Sequence, residues 1–210
     1  MGNSVNLRMM AALTAPVLEG RLVCLEPLSE AHFDGLWEAS RDPRTWQWLN
    51  VLQPETPAEL AALYRAALAA AAAGTEIPLA TTADARVVGS TRYLALRPEH
   101  RSVEIGWTWL HPEAWGTGVN VEAKYLMLRQ AFEVWECRRV ELKTDAHNKR
   151  SRGAMEAMGA TFEGIHRQHM LVRGGVNRDS AWYSVLDTEW PEVSRALLAR
   201  LELAARAATR

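Results

Sequence analysis

Two glycines in the run His111-Pro112-Glu113-Ala114-Trp115-Gly116-Thr117-Gly118-Val119-Asn120 are the part of this sequence best suited to hold a ligand. Gly116 and Gly118 let the backbone turn without a Cβ clash and approach a bound group closely. A helical pattern starts at Val119, so several N–H groups of residues 116–120 lack intrahelical partners and point one way, at the positive end of the helix dipole. That arrangement suits a phosphate or pyrophosphate. The run is not a dinucleotide fingerprint, because the third glycine and the later acidic residue are missing, and no Gly-Lys-Ser/Thr makes it a P-loop. On the glycines alone, a tight turn ahead of a helix is the simpler account. Upstream, Val103, Ile105, Trp107 and Trp109 alternate with Glu104, Gly106, Thr108 and Leu110, the period of a strand that Pro112 ends.

The longer string narrows the reading. Trp-Gly-Thr-Gly-Val-Asn-Val-Glu-Ala-Lys at 115–124, with His147-Asn148-Lys149-Arg150-Ser151 and Met158-Gly159-Ala160, resembles the GNAT family of acetyl-CoA-dependent N-acetyltransferases, in the branch of the ribosomal-protein N-terminal acetyltransferases. The resemblance runs over about residues 18–190. It implies acetyl-CoA as co-substrate, its pyrophosphate held by backbone N–H groups of Trp115, Gly116, Thr117, Gly118, Val119 and Asn120. The family's usual signature there is Gln/Arg-x-x-Gly-x-Gly/Ala; Trp115 and Asn120 depart from it and Gly118 keeps it. Backbone of Trp109 and Leu110 is expected to pair with the pantetheine amides as a further strand would.

Acetyl transfer needs a neutral amine, a polarised carbonyl and a proton for the thiolate. In GNAT proteins attack is direct, so no nucleophilic cysteine is required. Glu104 lies on the strand that leads into the loop, where the resemblance implies a carboxylate near the acceptor, and is the candidate general base; a carboxylate partly shut off from water has its pKa raised toward working pH, which suits the role. The competing reading is that Glu-x-Gly ties neighbouring backbone, and the two stand level. Where the wider family carries a tyrosine as acid, this chain has Met155; the resemblance then points to Ser151 as proton donor and Asn148 as holder of the pantetheine arm. Asn148 also suits a helix N-cap and Ser151 a first turn. Trp46, Trp48, Tyr93 and Trp182 are candidates for the acceptor groove, against plain core packing. His111, His147, His166 and His169 form no tight ligand pattern, so no metal is expected.

Those residues need a frame. A chain of 210 residues, 48% hydrophobic and 23% charged, is large enough for one substantial core. A formal net charge of −1 gives no basic field for nucleic acid. Cys24 and Cys137 fit neither a metal spacing nor a disulfide framework and read as reduced core residues of a cytoplasmic protein. No stretch has the length of a membrane span. Residues 1–16 read as a loose arm and 17–210 as one domain. Arg21–Glu26 reads as a strand, and a helix capped by Ser29 follows. Thr56-Pro57-Ala58-Glu59 opens a second helix that runs to Gly74. Strands are expected over 77–82, 86–96 and 102–110, then a helix from Val119 to about Glu136 whose one wet stripe is Glu122, Arg129, Glu133 and Glu136. A strand over 139–144, a helix over 148–158 ended by Gly159, a hairpin turning at Arg173-Gly174-Gly175 and an amphipathic helix over 190–205 complete the chain.

The expectation is an α/β (α+β) fold, a single GNAT-like domain with a mixed, mostly antiparallel sheet flanked by helices on both faces. Its function is transfer of acetyl from acetyl-CoA to a primary amine, either a protein N-terminal α-amine or a small molecule. The partners are then acetyl-CoA and that acceptor, with neither nucleic acid nor membrane, and a homodimer is compatible. The alternative is a non-catalytic acyl-CoA-binding or sensing domain.

Overall fold

The described residues build one eight-stranded mixed sheet, and the site depends on where two of its strands part. The computed structural model describes residue 13 and residues 17–208, with side chains to residue 204. The arm expected over residues 1–16 lies outside them apart from Leu13. The strands are β1 (Leu18–Glu19), β2 (Cys24–Pro27), β3 (Ile77–Ala83), β4 (Arg86–Arg97), β5 (Ser102–Leu110), β6 (Arg139–Asp145), β7 (Thr161–Val172) and β8 (Val176–Leu186). They lie in the order β1-β2-β3-β4-β5-β6-β8-β7. All neighbours are antiparallel except β5 and β6.

The helices are α1 (Phe33–Ala39), α2 (Pro57–Ala72), α3 (Val119–Arg129), α4 (Lys149–Met158) and α5 (Trp190–Ala208). Local chemistry places several of their ends. Thr56 Oγ1 accepts the N–H of Glu59 at 3.2 Å with Pro57 opening α2. Asn148 Oδ1 accepts the N–H of Ser151 at 3.1 Å, and Gly159 ends α4 at φ 95°. Two apolar clusters cover opposite faces of the sheet. Leu36, Leu60, Tyr64, Trp46 and Trp109 form one with α1 and α2; Ile105, Leu110, Leu126, Met127, Leu142 and Leu197 belong to the other with α3 and α5.

Three sequence expectations need correction. The strand expected over Arg21–Glu26 is a short hairpin, with Gly20 N–H on Val23 O at 2.9 Å between β1 and β2. Helix α3 continues beyond Arg129 as a π-helical turn over Gln130–Val134, so the stripe drawn to Glu136 is not straight. Glu122 does not belong to that stripe. It is buried and accepts the N–H groups of Leu22 at 2.5 Å and Val23 at 3.0 Å, which anchors the β1–β2 turn to α3, while Val134, read as packed, is exposed.

Candidate active site

Strands β5 and β6 pair in parallel only at Ser102–Arg139, Val103–Val140 and Glu104–Glu141. Both continue, β5 to Leu110 and β6 to Asp145, without further pairing to each other. The gap opens a cleft of about 710 Å³ that passes between the strands and reaches both faces of the sheet. On one face Thr45, Trp48, Leu49 and Asn50 of the α1–α2 connection line it; on the other Leu197, Arg200 and Leu201 of α5 do. The hairpin between β7 and β8 holds the α1–α2 wall: Arg173 N–H donates to Asn50 O at 2.9 Å, its guanidinium donates to Leu49 O at 2.8 Å, and Arg178 donates to Asn50 Oδ1.

A bulge in β5 sets which side chains meet the gap. Arg92 is in register with Gly106 and Ser90 with Trp109, so Thr91 faces two residues, Trp107 and Thr108. Trp107 takes φ 50°, with the Arg92 guanidinium 4.5 Å from its ring centre. The alternation expected through Trp109 therefore reverses: Thr108 and Leu110 turn toward α3, and Trp109 turns to the opposite face, its indole N–H on Tyr64 Oη at 2.9 Å. His111 N–H donates to Val88 O at 2.7 Å, so the antiparallel alternation also turns the Trp109 amide groups toward β4. Leu110 presents its backbone to the gap instead. Its carbonyl accepts the indole N–H of Trp115 at 2.9 Å, which leaves its N–H.

The glycine loop closes one end of the cleft. Gly116 and Gly118 take φ 78° and 94°, and Gly118 is the residue before α3. A Cβ at Gly118 would stand 3.0 Å from Leu22 Cδ1 in a backbone region that side-chain-bearing residues rarely adopt. The first intrahelical bond runs from Glu122 N–H to Gly118 O, so the amides of Asn120 and Val121 have no intrahelical acceptor; that of Val119 has only Thr117 Oγ1 at 3.5 Å. Thr117 Oγ1 itself donates to Ala114 O at 2.8 Å. Arg150 stacks 3.4 Å from the Trp115 ring centre and also lines the cleft, so a cation stands beside those donors.

Glu104 is buried at the point where the strands part, and its Oε2 accepts from Lys143 Nζ at 2.7 Å. A Cβ at residue 106 would lie 2.9 Å from Oε1, so Gly106 makes room for this carboxylate. Asn148 and Ser151 both line the cleft, the first as N-cap of α4. Of the four groove candidates only Trp48 lines it. Trp46 is buried, stacked on Trp109 and bonded to Ser40 O at 2.7 Å; Tyr93 is fully buried with its hydroxyl on Met127 O at 2.8 Å. Trp182 lies behind Lys143, whose Nζ is 4.8 Å from its ring. Among the described residues no group of three His, Cys, Asp or Glu side chains is placed to hold a metal.

The structure adds Trp107, Thr108, Lys124 and Lys143 to the cleft. Lys124 had a signal in the sequence: on a helical wheel it falls opposite Glu122 and Glu133, within the apolar arc. It is 8% exposed, and its Nζ donates to Thr108 Oγ1 at 2.6 Å. Burial pushes its pKa down to about 7.

A family model described as an acetyltransferase (GNAT) domain matches residues 22–161, which spans the loop, α3, β6 and α4. The chain belongs to the GNAT family. A GCN5-related N-acetyltransferase from Brucella melitensis superposes with a TM-score of 0.82 at 35% identity, over 90% of this chain and 87% of that one. Mycobacterium smegmatis RimJ, solved in complex with CoA-disulfide, shares the fold with a TM-score of 0.74 at 20% identity, over 85% of this chain and 88% of that one. A curated relative from Bacillus subtilis, "Putative ribosomal N-acetyltransferase YdaF", is 34% identical over 91 residues, 43% of this chain. The match spans about half, 49%, of that protein's length. GNAT membership accounts for a single α/β domain whose sheet carries helices on both faces.

Proposed function

We propose that this GNAT protein transfers acetyl from acetyl-CoA to a primary amine, and that the gap between β5 and β6 is where the transfer occurs. The parting of these strands beyond Glu104 and Glu141 carries the reading, because it exposes an unpaired strand edge that leads to the unpartnered amides of the α3 N-terminus. Acyl-CoA fits that combination. The first-turn amides and Arg150 would hold its phosphates, the Leu110 N–H would meet the pantetheine arm, and Asn148 and Ser151 would flank it. When bound, acetyl-CoA supplies the activated acyl group.

The chain's own residues supply position and proton traffic. Glu104 is held by Lys143 through Oε2, and Oε1 would accept the proton that the acceptor nitrogen sheds. The Ser151 hydroxyl would donate a hydrogen bond to the departing sulfur. Trp48, Leu49 and Asn50 would form the acceptor side of the cleft. Similarity to the Bacillus subtilis relative, named as a ribosomal N-acetyltransferase, favours a protein amine over a small-molecule amine, and a protein N-terminal α-amine in the cytoplasm is the acceptor proposed. The alternative of a non-catalytic acyl-CoA-binding domain rests on Met155 at the position where the resemblance expects an acidic tyrosine.

Calorimetric titration with CoA and with acetyl-CoA, on the wild type and on Gly118→Val, tests the site. Binding by the wild type and its loss in the variant are expected. A Gly118→Val protein that remains folded and binds CoA normally would remove the loop from the account.

A further inference from the structure

Cleaving a thioester leaves a thiolate that must be protonated, and Met155 cannot do it. We infer that Lys124 is the acid of this site, its Nζ delivering a proton to the departing sulfur. The inference rests on the acetyl-transfer reading above. Lys124 lines the cleft, and its Nζ sits against Thr108, one residue past the bulge at Trp107 and beyond the point where β5 parts from β6.

The surroundings of Nζ are those of a donor. Thr91 Oγ1 stands 3.5 Å from the thioether of Met127 and 2.8 Å from Thr108 Oγ1; with its one proton on the sulfur, it accepts from Thr108. Thr108 then accepts from Lys124 at 2.6 Å. That chain fixes one N–H of the ammonium and leaves the others for the cleft. It ends on a sulfur that has no proton to return, so Nζ is recharged from cleft water.

The nearby carboxylates are engaged elsewhere. Glu104 is on Lys143 at 2.7 Å, Glu76 on Arg92 at 3.0 Å, and Glu122 of the same helix on the Leu22 and Val23 amides. The cations facing the cleft are also held, Arg150 on Trp115, Arg178 on Asn50 and Arg200 on the Ala157 carbonyl. Among the described residues no acid lies within ion-pair distance of Nζ, so burial alone lowers its proton affinity to a pKa of about 7. An ordinary thiol has a pKa of about 8.5, so the proton moves downhill from Nζ to a thiolate. A serine hydroxyl is far too weak an acid for the same transfer, which leaves Ser151 to orient the sulfur.

The step balances with no further reactant. The bond from acceptor nitrogen to acyl carbon forms and the C–S bond breaks. One proton goes from Nζ to sulfur, and the proton shed by the acceptor nitrogen passes by way of Glu104 to solvent, from which Nζ regains its own.

The test uses Lys124→Met, and Lys124→Gln as a second variant that keeps a donor toward Thr108 but no transferable proton. Binding of CoA is compared with that of its S-methyl thioether, which has no thiol to pair with Nζ. Turnover is followed from pH 6 to 9 with acetyl-CoA and N-terminal peptides. The wild type should prefer the thiol by roughly tenfold, as a charge-assisted hydrogen bond gives, and its kcat should fall above about pH 7 as Nζ loses its proton. Both variants should lose that preference, lose the alkaline fall, and lose about 100-fold or more in kcat, the usual scale of general acid catalysis. Variants that keep the preference, or kcat within about threefold of wild type, would overturn the role of Lys124 and leave the acetyl-transfer reading standing. A wild type that releases no thiol with any acceptor would overturn both.

Discussion

Replacing Lys124 with methionine should stabilise the protein, and by an amount that depends on pH. The side chain is buried without an acidic partner, and its pKa falls from 10.5 to about 7 on folding. Above about pH 10.5 the amine is neutral whether the chain is folded or not, and the shift has no effect on stability. Between there and pH 7 only the unfolded chain carries the proton, so stability falls as pH falls, by about 1.36 kcal/mol per unit. Below pH 7 both states carry it and the deficit is constant, at roughly 5 kcal/mol for the full shift. Methionine has nearly the same shape and does not titrate. Urea unfolding of wild type and variant at pH 7 and pH 9.5 isolates this group, because other titrations cancel in the difference. The variant's advantage should be larger at pH 7 by up to roughly 3 kcal/mol. An advantage that does not change between the two pH values would show that Lys124 has an ordinary pKa, and would remove a main support of its assignment as an acid.

Other consequences can be measured with similar economy. Tyr93→Phe removes a buried hydrogen bond between two residues that do not line the cleft, so it should cost about 1 kcal/mol or somewhat more in stability with KM for the acceptor unchanged; a raised KM would return Tyr93 to the groove. Glu104→Gln leaves Lys143 without its charge partner at 2.7 Å and should destabilise by about 3 kcal/mol or more while reducing kcat. The double variant Glu104→Gln/Lys143→Met should recover stability but not turnover, and recovery of both would make Glu104 structural only. Gly118→Val meets both a φ of 94° and Leu22 Cδ1, and should lower the melting temperature in addition to abolishing CoA binding; unchanged melting would mean the loop relaxes freely.

The order of elements was readable because their ends carry local signals. Thr56, Pro57 and Glu59 start α2, Asn148 starts α4 and Gly159 ends it, and each acts through bonds within a few residues. The glycine loop was readable for the same reason. What escaped depends on tertiary register. A one-residue bulge at Trp107 exchanges the faces of Thr108 and Trp109, and strict alternation cannot reveal it. Tyr93 and Trp46 were groove candidates that read more readily as core, and an aromatic pattern alone does not say which side of a sheet is open. Glu122 looked solvated until a backbone turn 100 residues away was found to need its carboxylate. Lys124 was the reverse, a charge in an apolar arc whose meaning emerged once the β5–β6 gap was located beside it.

The most direct test of the central claim is free-thiol release from acetyl-CoA by the purified protein, with a panel of N-terminal peptides and small amines as acceptors. The account predicts release that depends on acceptor, accompanied by a mass gain of one acetyl group on the accepting amine. CoA binding without acceptor-dependent release across the whole panel would contradict it and leave an acyl-CoA-binding domain in its place.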